Sequence, residues 1–94
     1  GYPELEREVS IIRAKFPDIC ETLARQMVVF LNKARELNLR KPPSVSEALD
    51  WAQVLSIMKA NQLTPDVVAG TVGVIAKHQT DLQKVTELAT EELV

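Results

Sequence analysis

The chain has 94 residues, 46% of them hydrophobic and 26% charged, a composition typical of one soluble globular domain spanning residues 1–94. Its formal net charge of −2 argues against a nucleic-acid partner, which usually requires a basic face. One cysteine excludes an internal disulfide and favours a reducing cytoplasm, and the lack of a long apolar run argues against a membrane span.

A proline separates the first two predicted helices. Apolar residues at spacings of three and four predict the first helix over residues 4–15. Pro17 ends it, because the residue before a proline avoids helical dihedral angles. The second helix is predicted to begin at Asp18, which precedes Glu21 by three residues, the spacing of a capping box. We expect this helix to run to about Leu37.

The third predicted helix has an unusual entrance. Pro42 and Pro43 cannot lie inside a helix, and Ser44 with Glu47 repeats the capping-box spacing. Apolar residues cover much of the girth of the helix, so we expect it to be central. Those residues are Val45, Leu49, Trp51, Ala52, Val54, Leu55, Ile57 and Met58. The indole of Trp51 is expected in the core, with its N–H bonded to a carbonyl group.

The last two predicted helices complete an all-α fold. Residues 64–66, Thr-Pro-Asp, begin the fourth helix with a cap, a proline and a first-turn acid. Its buried side is predicted to extend to Ile75, and Gly70 and Gly73 are expected to allow close approach of a neighbouring helix. The fifth helix is predicted from about residue 80. Short connections favour a small bundle of four to five helices with antiparallel neighbours.

The motifs of a free-standing enzyme are missing from the sequence. Three glycines do not form a G-x-x-x-x-G-K-[ST] phosphate loop, and one histidine with one cysteine cannot bind zinc alone. Cys20 is expected to be a small buried residue, and His78, near the end of the fourth helix, to complement the helix dipole. Acidic residues of the first helix, Glu8 among them, are expected to be solvated. We therefore expect a non-catalytic chain without a metal site.

Two cations and two prolines precede the third helix in the stretch LRKPPSVSEALDW, residues 39–51. A helix N-terminus has free amides and partial positive charge, so Arg40 and Lys41 beside it would form an anion or phosphate site. Alternatively, the stretch is a rigid linker with two solvated cations, because a capped helix start needs no ligand. The residues alone favour the linker.

Three elements of the sequence resemble the C-terminal lid of MoxR-type AAA+ ATPases, closest to the CoxD-like branch. The first is YP at residues 2–3 before an acidic helix, and the second is IIR at residues 11–13 with Pro17 shortly after. The third is LRKPPSVSEALDWA at residues 39–52, and LTPDVVAGTVGVIAKHQTDLQKV continues the match to Val85. The resemblance thus covers nearly the whole chain.

The resemblance implies a fragment of a larger cytoplasmic ATPase. In this family the lid is a helical bundle that closes over ATP and Mg²⁺ on a preceding α/β core and packs against the next subunit of an oligomeric ring. The parent protein would hydrolyse ATP and use the motion in a chaperone-like role, remodelling or maturing a partner complex. A protein with a von Willebrand factor A domain is an implied partner. The fragment alone would bind no cofactor.

A nucleotide-facing site is also implied. Such lids commonly carry a basic sensor-2 residue at the start of one helix, and the helix starting at Ser44 is the matching place. This makes Arg40, Lys41 and Ser44 the implied nucleotide-binding residues. Many relatives have arginine about where Ser44 or Ser46 stands, so either the two cations reach the phosphates from the loop or no such contact is made. The alternative function is a stand-alone helical protein–protein interaction module without nucleotide binding.

Overall fold

A computed structural model describes residues 3–93, and this part of the chain contains helices and no strand. The helices are α1 Pro3–Lys15, α2 Glu21–Glu36, α3 Val45–Met58, α4 Pro65–Thr71 and α5 Gln79–Glu92, with a 3₁₀ helix Val72–Val74 after α4. The predicted all-α bundle is confirmed. None of the described helices is both long and apolar enough to cross a bilayer. Tyr2, which the resemblance includes, lies outside the described residues.

Helix α2 is the centre of the bundle and contacts α1, α3 and α5. Its buried residues are Leu23, Ala24, Met27, Val28, Phe30, Leu31 and Ala34. Helix α3 also contacts three elements, α1, α2 and the 3₁₀ helix, but although apolar residues cover much of its girth, it buries one face only. That face consists of Ala48, Trp51, Ala52 and Leu55. Ile57 is 73% exposed and Met58 50% exposed, so apolar residues at the end of α3 do not enter the core.

A buried hydrogen-bond chain ties α3 to α4. Trp51 is fully buried, and its Nε1–H donates to Thr71 Oγ1 over 2.8 Å. The Thr71 hydroxyl in turn donates to the Val67 carbonyl over 2.7 Å. The Phe30 ring lies against the indole, with 6.1 Å between ring centroids and an interplanar angle of 49°. The core position of Trp51 is confirmed, but its N–H is bonded to a hydroxyl and not to a carbonyl.

Helix α4 is shorter than the sequence predicted. It ends at Thr71, after which the chain tightens into the 3₁₀ helix and buries Ile75, which is 2% exposed. His78 is therefore the N-cap of α5 and does not end α4. A Cβ added at Gly70 or Gly73 would meet no atom within 4 Å. The predicted close helix approach at these glycines is therefore wrong within residues 3–93.

The predicted start of α2 at Asp18 is also wrong. The helix begins at Glu21, and the residue at its N-cap is Cys20, which makes no side-chain cap bond. Burial of Ile19, 2% exposed, favours a turn here, in which the Ile19 N–H donates to the Phe16 carbonyl over 3.0 Å. As a consequence, Cys20 is exposed and not buried as predicted.

Candidate functional site

The loop of residues 37–44 joins α2 to α3 and carries the two cations that the sequence singled out. Leu39 is buried and anchors the loop in the core. The side chains of Arg40 and Lys41 are exposed. Within residues 3–93, neither side chain has an ion-pair partner. Both positive charges are therefore available to an anion.

A buried carboxylate from the first turn of α5 holds the backbone of this loop. The Arg40 N–H donates to Asp81 Oδ1 over 2.9 Å, and the Lys41 N–H donates to Asp81 Oδ2 over 3.0 Å. Asp81 is 0% exposed. Burial alone would raise the pKa of Asp81, but the two amide donors, helped by the charges of His78 and Lys84, outweigh it and lower this pKa below its usual value.

Two further side chains bind loop carbonyls. Arg35 Nε donates to the Pro43 carbonyl over 2.8 Å, while its terminal nitrogens donate to both carboxylate oxygens of Glu8 over 2.9 and 2.8 Å. Lys84 Nζ donates to the Asn38 carbonyl over 2.8 Å. Glu8 is 7% exposed, so the expectation that it would be solvated is wrong, because it neutralises Arg35 at the α1–α2 contact.

The predicted capping box at the start of α3 is confirmed. The N–H and the hydroxyl of Ser44 both donate to Glu47 Oε1, over 2.9 and 2.7 Å, and the Ser46 N–H donates to Ser44 Oγ over 3.2 Å. The N–H and hydroxyl of Ser44 lower the pKa of Glu47, burial opposes them, and the charges of Lys41 and Lys77 add to the lowering. While this cap is formed, the Ser44 hydroxyl already donates to Glu47 and is not free to donate to a ligand.

These contacts give the loop a defined chemistry. Its backbone is bonded to Asp81, Arg35 and Lys84, while the side chains of Arg40 and Lys41 extend from it without a carboxylate partner in the described chain. Such an arrangement can attract an anion. Residues 3–93 hold no group of three or more His, Cys, Asp or Glu side chains suited to a metal ion.

The structure brings to this loop three residues that the sequence did not assign to it. Asp81, Arg35 and Lys84 are separated from their loop partners by 41, 8 and 46 residues. No local pattern identifies them, because an acid in a first turn and cations on helix surfaces are ordinary.

Comparisons of the chain with protein-family models, with curated proteins and with solved structures find no match.

Proposed function

We propose that this chain is the lid domain of a cytoplasmic MoxR-type AAA+ ATPase. It closes over ATP and Mg²⁺ bound to an α/β core of the same parent chain and packs against the neighbouring subunit of an oligomeric ring. The parent protein couples hydrolysis to the remodelling or maturation of a partner complex, with a von Willebrand factor A domain protein as a partner. The proposal rests on one observation: Arg40 and Lys41 extend from a loop whose backbone amides are bonded to the buried carboxylate of Asp81.

This observation supports phosphate contact because of what a triphosphate requires. Charge spreads over the phosphate oxygens during transfer, and cations already in place stabilise it without reorganisation. The Ser44 hydroxyl is engaged with Glu47, so we assign the contact to the two cations and give Ser44 the role of capping α3. Phosphate contact by the loop would also couple nucleotide state to the angle of the lid, as in hinge closure around a ligand.

The proposal is tested in the natural full-length protein. First, the reading frame should encode a phosphate loop with its lysine ahead of the lid. Second, Arg40→Gln combined with Lys41→Gln should weaken ATP binding by roughly tenfold or more, the loss of about one charge-assisted contact. Lys59→Gln is the matched control, because Lys59 is an exposed cation at the other end of α3, about 20 Å from Ser44.

Unchanged ATP affinity and turnover in the Arg40 and Lys41 variant would refute a nucleotide-facing loop. A reading frame without a phosphate loop would refute the lid assignment altogether. The control Lys59→Gln should bind ATP as the wild type does, which would show that losing one exposed positive charge far from the loop does not weaken ATP binding.

A stand-alone interaction module is the second candidate, and exposed apolar side chains favour it. Ile57, Met58, Val29 and Val45 are 73%, 50%, 41% and 41% exposed. Ile57 and Met58 are neighbours at the end of α3, and contiguous exposed apolar residues often mark protein contacts. Under this alternative, Ile57→Ser abolishes binding of a partner protein, while the Arg40 and Lys41 variant has no nucleotide phenotype.

A further inference from the structure

We infer that Asp81 is the positioning residue of the cationic loop: by accepting the N–H groups of Arg40 and Lys41 it holds the backbone from which both side chains extend, and so places the two cations for an anionic ligand. The inference rests on the proposed function for the nature of that ligand, a nucleotide triphosphate. The positioning itself depends only on contacts within this chain. Asp81 does not touch the ligand and is not a catalytic residue.

The geometry requires a carboxylate at position 81. Two consecutive amides, separated from it by 41 and 40 residues of sequence, each donate to a different oxygen of one buried side chain. An asparagine of the same shape has one acceptor oxygen, so its NH₂ group would face the second amide donor. That amide would lose its acceptor on α5, which weakens the attachment of the loop to the bundle.

The two prolines cannot supply this orientation. Proline restricts its own φ and pushes the preceding residue, here Lys41, toward extended backbone. These restrictions are local and do not set how the loop lies against the bundle. Burial of Leu39 and the bond from Arg35 to the Pro43 carbonyl contribute to that placement. Before the prolines, Asp81 and Lys84 of α5 add to it by bonding the Arg40 and Lys41 amides and the Asn38 carbonyl. Helix α5 therefore holds the loop on the side before the prolines.

An electrostatic role and a positioning role predict opposite signs for the same substitution. Asp81→Asn removes a negative charge beside two cations. If only the charge mattered, anion binding would become tighter, because a like charge has been removed from the surroundings of the phosphates. If positioning matters, binding becomes weaker although the net charge has become more positive.

The positioning is tested first without any ligand, on the 94-residue chain. Scalar couplings across hydrogen bonds between the amide nitrogens of Arg40 and Lys41 and Cγ of Asp81 should be detectable by NMR in the wild type. In Asp81→Asn, the hydrogen-exchange protection of these two amides should fall about tenfold or more, and by a larger factor than that of the core amide of Phe30, which reports the change in global stability. Asp66→Asn is the matched control, because Asp66 is an exposed first-turn acid of α4.

The second arm measures ATP affinity in the full-length protein. Asp81→Asn should weaken ATP binding by roughly three- to tenfold, a partial loss of one charge-assisted contact, while Asp66→Asn leaves it unchanged. Tighter or unchanged binding in Asp81→Asn overturns the inference even where the loss of Arg40 and Lys41 weakens binding. Absent couplings in the wild type overturn it regardless of how Asp81→Asn folds. If the Arg40 and Lys41 variant binds ATP normally, the proposed function fails, and the couplings and exchange rates alone decide the positioning.

Discussion

Replacing Thr71 with valine should measure how much the buried hydrogen-bond chain stabilises the fold. The hydroxyl of Thr71 accepts the indole N–H of Trp51 over 2.8 Å and donates to the Val67 carbonyl over 2.7 Å. Valine has nearly the same shape, so the substitution removes the hydroxyl without opening a large cavity. Trp51 is fully buried, so its N–H would then have neither a protein acceptor nor bulk water.

The expected magnitude follows from the stranded donor. A buried polar group that loses its only partner costs about 1–3 kcal/mol. For a domain of this size, each kcal/mol lowers Tm by about 4–8 °C. Thr71→Val should therefore lower Tm by at least about 4 °C. The cost of about 1–3 kcal/mol is a large share of a total stability on the order of 5–15 kcal/mol.

A double-mutant cycle separates the hydrogen bond from packing. Trp51→Phe removes the N–H, so Thr71→Val should cost about 1 kcal/mol less in that background than in the wild type. Urea unfolding of all four proteins should be followed by circular dichroism, because Trp51 is the only tryptophan and its fluorescence is lost. Equal costs of Thr71→Val in the two backgrounds would refute the role of the bond.

Four further substitutions test the packing and the loop. Gly70→Ala should raise the unfolding free energy by about 0.5–1 kcal/mol in thermal unfolding, because an added Cβ meets no atom within 4 Å; a decrease would contradict the open surface. Leu55→Ala should destabilise the fold by about 2–5 kcal/mol, whereas Ile57→Ser should change it by less than about 0.5 kcal/mol, since Leu55 is 0% and Ile57 73% exposed; similar urea midpoints would contradict the assigned faces of α3. The lowered pKa of Asp81 means that its ionised form stabilises the fold above its unfolded pKa of about 4, and that this contribution is lost as the pH falls through the folded pKa. Asp81→Asn should therefore lower the urea midpoint at pH 7 but progressively less below pH 4, and a pH-independent difference would contradict this.

Helix starts that depend on local chemistry could be predicted from the sequence. Ser44 and Glu47 form their capping box, and Thr64 accepts the Val67 N–H at the start of α4, with Pro65 at the first helical position. These signals act within one turn of the chain, so no tertiary contact is needed to form them. The helix bounds that follow from them agree with the structure.

Helix boundaries that depend on tertiary burial could not be predicted. Asp18 has a capping spacing, but burial of Ile19 turns the chain before α2 begins. Similarly, the apolar periodicity continues past Thr71, but Ile75 is buried by a 3₁₀ helix and not by a longer α4. In both cases one isoleucine reaches the core by leaving the helix, and periodicity alone cannot distinguish this from a continuous helix.

Only the exposed residues of the candidate site could be predicted from the sequence. Arg40 and Lys41 are adjacent to two prolines and a capped helix start, and this combination can be read directly from the sequence. The presence of Asp81 in the sequence is already explained by its place in the first turn of α5, where an acid complements the helix dipole. No neighbouring residue in the sequence indicates that its side chain is completely buried. The two amides that donate to Asp81 belong to the loop between α2 and α3. Only the packing of α5 beside that loop brings them to Asp81.

Comparison of two arginines shows why a backbone contact suits a ligand-binding cation. Arg35 is held through its side chain by both oxygens of Glu8, so its charge is neutralised and its guanidinium is structural. Arg40 is held through its backbone N–H by Asp81, which leaves its guanidinium exposed. An ion pair with the Arg40 side chain would fix its direction but compete with any phosphate for the same charge. A buried carboxylate bonded to the main chain restricts the movement of the loop and leaves the charge of Arg40 available. This is the arrangement that the proposed role of Arg40 requires, with Arg35 as part of the support of the loop.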